Sequence, residues 1–108
     1  MFVLLVPVIA RSAPTNWTPT QVRAAVYRTD PCLAHIVDHE NGRWEPTRYG
    51  VGGSYGLPQA APPSKMASAG ADWRTNPWTQ LRWMKGYVNG RYGSSCGAWA
   101  FWQAHYWY

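Results

Sequence analysis

A chain of 108 residues with 46% apolar residues is long enough for one domain and one core, which excludes both a disordered chain and a two-domain enzyme. Ten Lys and Arg against five Asp and Glu leave a net charge of +5, a balance that draws a protein to polyanions such as nucleic acid, anionic membrane or anionic cell wall. The cations are scattered singly rather than along one helical stripe, which argues against nucleic acid.

Met1 to Ala10 is almost wholly apolar, too short to span a bilayer as a helix. It resembles the apolar region of a secretory signal, with small residues at Ala10 and Ala13, although no positive segment precedes it. Residues 1–13 are read as a signal-like segment or an N-terminal arm, and 14–108 as the folded domain. Thr18-Pro19-Thr20-Gln21 combines an N-cap, a proline at the first helical position and a capping-box partner. It predicts a helix to about Arg28 that buries Val22, Ala25 and Val26. Asp30-Pro31 opens a second helix by the same logic. Leu33, Ile36, Val37 and Glu40 share one side of it, and Gly42 is expected to stop it in the left-handed conformation.

Tyr49 to Tyr55 is a Gly-rich loop or small hairpin whose G-V-G-G spacing fits no nucleotide fingerprint. Pro62-Pro63 opens a short helix through Ala69, ended by Gly70. Asn76-Pro77 starts the longest helix, to about Asn89, with Trp78, Leu81, Met84 and Val88 facing inward. Gly93-Ser94-Ser95 is a turn with a serine cap before a last helix from Cys96 to His105. No period-2 run of β-branched residues occurs. The expected fold is mainly α, with a short β-hairpin or Gly-rich loop beside a cleft.

Cys32 and Cys96 stand far apart, and no C-x-x-C or His/Cys cluster marks a metal site. No metal and no cofactor is expected. A long-range Cys32–Cys96 disulfide in an exported chain is expected, with two buried free thiols as the alternative. Eight Trp, seven Tyr and two Phe in so short a chain point to a groove lined with flat rings, on which sugars or bases stack.

Glu40 carries the most chemistry. The negative end of the helix dipole opposes a carboxylate there, and Ile36 and Val37 add desolvation. Both push its pKa upward, as a general acid at a glycosidic oxygen requires. The competing reading is an exposed helix-end Glu. A second acid across the bond is hard to find. Asp38 points to another helix face, Asp72 reads as a cap, and no acid lies between Glu45 and Asp72. A one-acid mechanism, with the substrate's own groups supplying the second function, is therefore attractive.

Glu40-Asn41-Gly42, Gly56-Leu57-Pro58-Gln59, Asn76-Pro77-x-x-Gln80 and Ala98-x-x-x-Trp102-Gln103 together resemble the pattern of the soluble lytic transglycosylases. That family belongs to the lysozyme-like superfamily, with the goose-type lysozymes and the resuscitation-promoting factors. The resemblance spans about Cys32 to Tyr108. It implies an α+β lysozyme-like domain that cuts the β-1,4 bond between N-acetylmuramic acid and N-acetylglucosamine in peptidoglycan. Glu40 would be the acid/base, Gly56 the loop glycine and Gln59 the groove glutamine. Trp102 and Gln103 fall where the family has Tyr and Asn; Asn41 replaces its usual Ser, Pro58 its Met, and His105 a common Gly.

Tyr49, Tyr55, Trp73, Trp99 and Trp102 are candidates for sugar stacking, with Tyr49 and Tyr55 best placed; Trp78, Trp83 and Trp99 read first as core. His35, His39 and His105 form no visible metal or triad set. The product would be a 1,6-anhydro end, as from a lytic transglycosylase, or a reducing end, as from a hydrolytic muramidase. A non-catalytic glycan-binding module of the cell wall is the third reading. Similar domains occur in actinobacterial secreted proteins and phage tail or lysis proteins. The expected setting is therefore the cell wall or a virion, as a monomer or part of a longer protein. Its expected partner is peptidoglycan strands, with no nucleic acid and no membrane span.

Overall fold

The computed structural model describes residues 16–108; the signal-like reading of residues 1–13 lies outside the described residues. The α-helices are α1 (Pro19–Thr29), α2 (Pro31–Glu40), α3 (Pro77–Tyr92) and α4 (Ser95–His105). The long connection between α2 and α3 holds 3₁₀ turns at Val51–Gly53 and Pro63–Ala69. Among the described residues, β structure amounts to two isolated antiparallel bridges, Tyr49–Tyr55 and Tyr55–Ala60. The fold is mainly helical, and the expected hairpin contracts to these two bridges around one tyrosine.

Local chemistry sets the helix starts. The Thr18 hydroxyl accepts from the Gln21 backbone N–H at 3.2 Å, and the Gln21 side chain accepts from the Thr18 N–H at 2.9 Å, so two otherwise orphaned donors are satisfied. Asp30 caps α2 through Leu33 N–H at 3.2 Å, Asn76 caps α3 through Trp78 N–H at 2.9 Å, and Ser94 caps α4 through Gly97 N–H at 2.9 Å. α3 runs past Asn89 to Tyr92 and stops at Gly93, whose φ of 83° suits glycine.

The stop of α2 differs from expectation. It closes at Asn41 (φ −146°, ψ 78°), and the left-handed residue of this turn is Trp44 (φ 56°) rather than Gly42. Tertiary contacts override the glycine: Asn41 and Trp44 are both 1% exposed, and the Trp44 indole N–H donates to Asp38 at 2.8 Å.

α2 packs between α1 and α4, while α3 packs on α4 and on Pro63–Ala69. Val22, Val26, Leu33, Ile36, Val37, Leu81, Met84, Val88 and Ala98 meet in one core with Trp44 and Leu57. A smaller cluster of Tyr55, Ala60, Met66 and Trp73 adjoins it through Trp83. Ala25 and Trp78 are half-buried rather than buried. Cys32 and Cys96 form a disulfide (S–S 2.05 Å) across a sequence separation of 64, which closes the free-thiol reading. On the chain-entropy account such a loop contributes roughly 4 kcal/mol. Beside it, Asp30 accepts from Lys85 Nζ at 2.7 Å and Ser95 Oγ at 2.6 Å, so the starts of α2 and α4 are tied to the middle of α3.

Candidate functional site

Glu40 stands on the last turn of α2, half-buried. Its Oε2 accepts one hydrogen bond, from the Trp102 indole N–H on α4, at 2.9 Å. Burial pushes the Glu40 carboxyl above its ordinary value; the Trp102 hydrogen bond and the charge on His39 only partly oppose it. The remaining four of the five acids have other work. For Asp38, burial would push the carboxyl up, but hydrogen bonds from Arg23, Tyr27 and Trp44 outweigh it and hold it at about 2. Asp30 is lowered by Lys85, Ser95 and the Leu33 N–H against the same opposing burial. Asp72 accepts from Thr79 at 2.6 Å and Asn76 at 2.9 Å, and Glu45 faces Arg48 at 3.7 Å. Among the described residues, Glu40 and Asp72 are the acids with no cation in ion-pair contact, and of the two only Asp72 is exposed and held by two side-chain donors.

A shelf of rings flanks it. The Trp99 and Trp102 rings stack at 5.7 Å with an interplanar angle of 21°. His35 stacks on Trp99 at 5.1 Å, and His39 lies 4.4 Å from Trp102. The His39 Nδ1 donates to the His35 carbonyl at 2.8 Å. Trp99, expected in the core, is half-buried: it packs against the core and also lends its ring to this shelf.

The opposite side is built by the loop that follows α2. Asn41 turns its side chain inward, donating to the carbonyls of Glu45 at 2.8 Å and Gly56 at 3.0 Å. Gln80, wholly buried, accepts from Leu57 N–H at 2.9 Å and donates to the Pro46 and Trp73 carbonyls, both at 2.8 Å. Gly56 adopts φ 78°, and a Cβ there would lie 2.7 Å from the Gln80 Oε1. Only glycine fits this approach. One buried amide on α3 thus gathers three segments of the loop in front of Glu40.

Gln59 sits inside the loop, with its Oε1 accepting from Ser54 Oγ at 2.8 Å and its Nε2 donating to Gly56 O at 2.9 Å. Its amide is engaged by the loop itself. Tyr55 is 7% exposed and donates to the Arg74 carbonyl at 2.6 Å. Tyr49 is 69% exposed, with its ring 4.7 Å from that of Tyr55. Gln103 is exposed on α4.

Tyr108 completes the site. The residue is half-buried, and its hydroxyl donates to the Pro58 carbonyl at 2.6 Å. Burial holds that hydroxyl well above its ordinary pKa, and the nearby Glu40 charge adds to the effect. Tyr108 therefore packs from beyond α4 onto the Gly56–Gln59 loop. No local sequence signal marks it, nor the inward turn of Asn41; Gln80 was marked only by its place in Asn-Pro-x-x-Gln. Among the described residues, no three His, Cys, Asp or Glu side chains converge as metal ligands. No protein-family model, curated protein or solved structure matches the chain.

Proposed function

We propose that this chain is a peptidoglycan-cleaving enzyme of lysozyme-like fold that acts on the β-1,4 bond between N-acetylmuramic acid and N-acetylglucosamine. The observation that carries the reading is Glu40, an acid with no cation in ion-pair contact, desolvated beside a single indole donor and followed by a loop organised by buried amides. A binding groove has no need of such a group, whereas a glycosidic oxygen leaves only after protonation.

In the mechanism, neutral Glu40 gives its proton to the leaving oxygen. The Trp102 N–H then holds the resulting carboxylate in place. No second carboxylate is free to attack, so the substrate's own N-acetyl carbonyl stabilises the oxocarbenium-like centre. Ionised Glu40 takes a proton back from the nucleophile. If that is the sugar's C6 hydroxyl, a 1,6-anhydro end forms and the enzyme is a lytic transglycosylase, the reading we favour. If it is water, the enzyme is a muramidase. The disulfide agrees with an extracellular, cell-wall or virion setting, and no helix among the described residues is long and apolar enough to cross a membrane.

Mass spectrometry of fragments released from purified peptidoglycan tests this, with Glu40→Gln alongside. Anhydro-muramyl ends whose yield falls by about a thousandfold in the variant are expected. Reducing ends instead would make it a muramidase. A wall that retains both proteins but releases nothing would sink the enzyme reading and leave a binding module.

A further inference from the structure

Two recesses meet at one pair of rings. Trp83 and Tyr87, one turn apart on α3, stack at 5.2 Å with an interplanar angle of 18°. On one side lies a recess of about 160 Å³ walled by Pro58, Gln59, Lys65 and Tyr108. On the other lies a recess of about 410 Å³ walled by Ser68, Ala69, Arg82 and Gly86. Both include Trp83 and Tyr87 in their lining. The first recess is walled by Tyr108 and by Pro58 and Gln59, on the loop that Asn41, the residue after Glu40, holds through its hydrogen bond to the Gly56 carbonyl.

We propose that these recesses form one furrow leading away from Glu40, built to hold an acid-bearing glycan strand rather than a short neutral oligosaccharide. The inference rests on the peptidoglycan reading above and deepens it. The ring pair offers a ridge on which the apolar face of a sugar can rest. Each recess also carries one cation, Lys65 in the first and Arg82 in the second. Lys65 is exposed and makes no ion pair among the described residues. Arg82 donates to the Ala69 carbonyl at 2.7 Å, which fixes its guanidinium on that wall. Two positive groups along a ring-floored track suit a polymer whose sugars bear carboxylated peptide stems. A neutral polymer of N-acetylglucosamine gains nothing from them. The floor of the outer recess is bare at Gly86, where an added Cβ would meet nothing within 4 Å, leaving room for a strand to pass.

That bare glycine provides the test. Gly86→Phe fills the outer recess while removing a glycine from mid-helix, so the fold should hold. Lys65→Glu reverses the inner cation at an exposed position. Both are placed in the Glu40→Gln background, and binding to solubilised peptidoglycan strands is measured beside binding to a trimer of N-acetylglucosamine. Each substitution should weaken strand binding by about tenfold, with an unchanged melting temperature and trimer affinity. Strand binding unaffected by either substitution, or by one of the two, overturns a continuous furrow, since a strand along both recesses must feel both changes. Equal losses for strand and trimer would overturn it too. Cleavage is scored separately with Glu40 intact: no released fragments would remove the proposed reaction, while the binding losses would still decide the furrow.

Discussion

A carboxyl group serves as an acid near neutral pH only if its surroundings disfavour the charged form more than they support it. At Glu40, burial prevails over one indole hydrogen bond and the His39 charge. Activity that needs protonated Glu40 is therefore present below its raised pKa and lost as pH rises through it. Trp102→Phe removes the N–H that favours the ionised form and keeps a ring against Trp99. The alkaline limb of a pH–rate profile should move to higher pH, and turnover should fall about tenfold as the carboxylate loses its donor. A limb that stays put or moves down would show that the Trp102 N–H does not govern Glu40. Glu40 was legible in the sequence because acids are scarce and this one ends an apolar helix. The cations that hold Asp38 and Asp30 were not legible, because Arg23–Asp38 and Lys85–Asp30 pair across separate helices.

At the scale of elements, the helix starts were readable and the loop was not. A cap is settled within four residues, so Thr18, Asp30, Asn76 and Ser94 announce their helices wherever the rest of the chain goes. The turn after α2 is settled by Trp44 under Asp38 and by Asn41 reaching Gly56, fifteen positions on. A glycine at 42 has no say against those contacts. The loop then depends on Gln80, 23 positions from the Leu57 N–H that it holds. Gln80→Leu keeps the volume but leaves that N–H and the Trp73 carbonyl buried without a partner and releases the half-buried Pro46 carbonyl. It should cost roughly 3 kcal/mol in urea unfolding, and cleavage should fall further than stability explains as the loop loses its register before Glu40. Wild-type stability in Gln80→Leu would remove the amide from this role.

Over the whole molecule, Asp38 joins what the helices alone leave separate. It takes two hydrogen bonds from Arg23 on α1, at 2.9 and 3.1 Å, one from the Trp44 indole at 2.8 Å, and one from the Tyr27 hydroxyl. A group whose folded pKa is depressed, here from 3.8 to about 2, stabilises the fold above its unfolded value and loses that contribution as pH falls through the folded one. Asp30 and Asp72 are shifted in the same direction. Glu40, shifted upward, has the opposite sign: its contribution is present in acid and fades as pH rises through its folded value. Three depressed carboxyls against one raised one make acid the weak side of this protein. Urea unfolding from about pH 6 down to about pH 2 should show stability falling below roughly pH 4. Asp38→Asn should lower stability at pH 6, because a neutral amide no longer attracts Arg23, and should flatten the acid slope. An unchanged slope in Asp38→Asn would place the acid sensitivity elsewhere, and Asp30 beside the disulfide would be the next substitution to make.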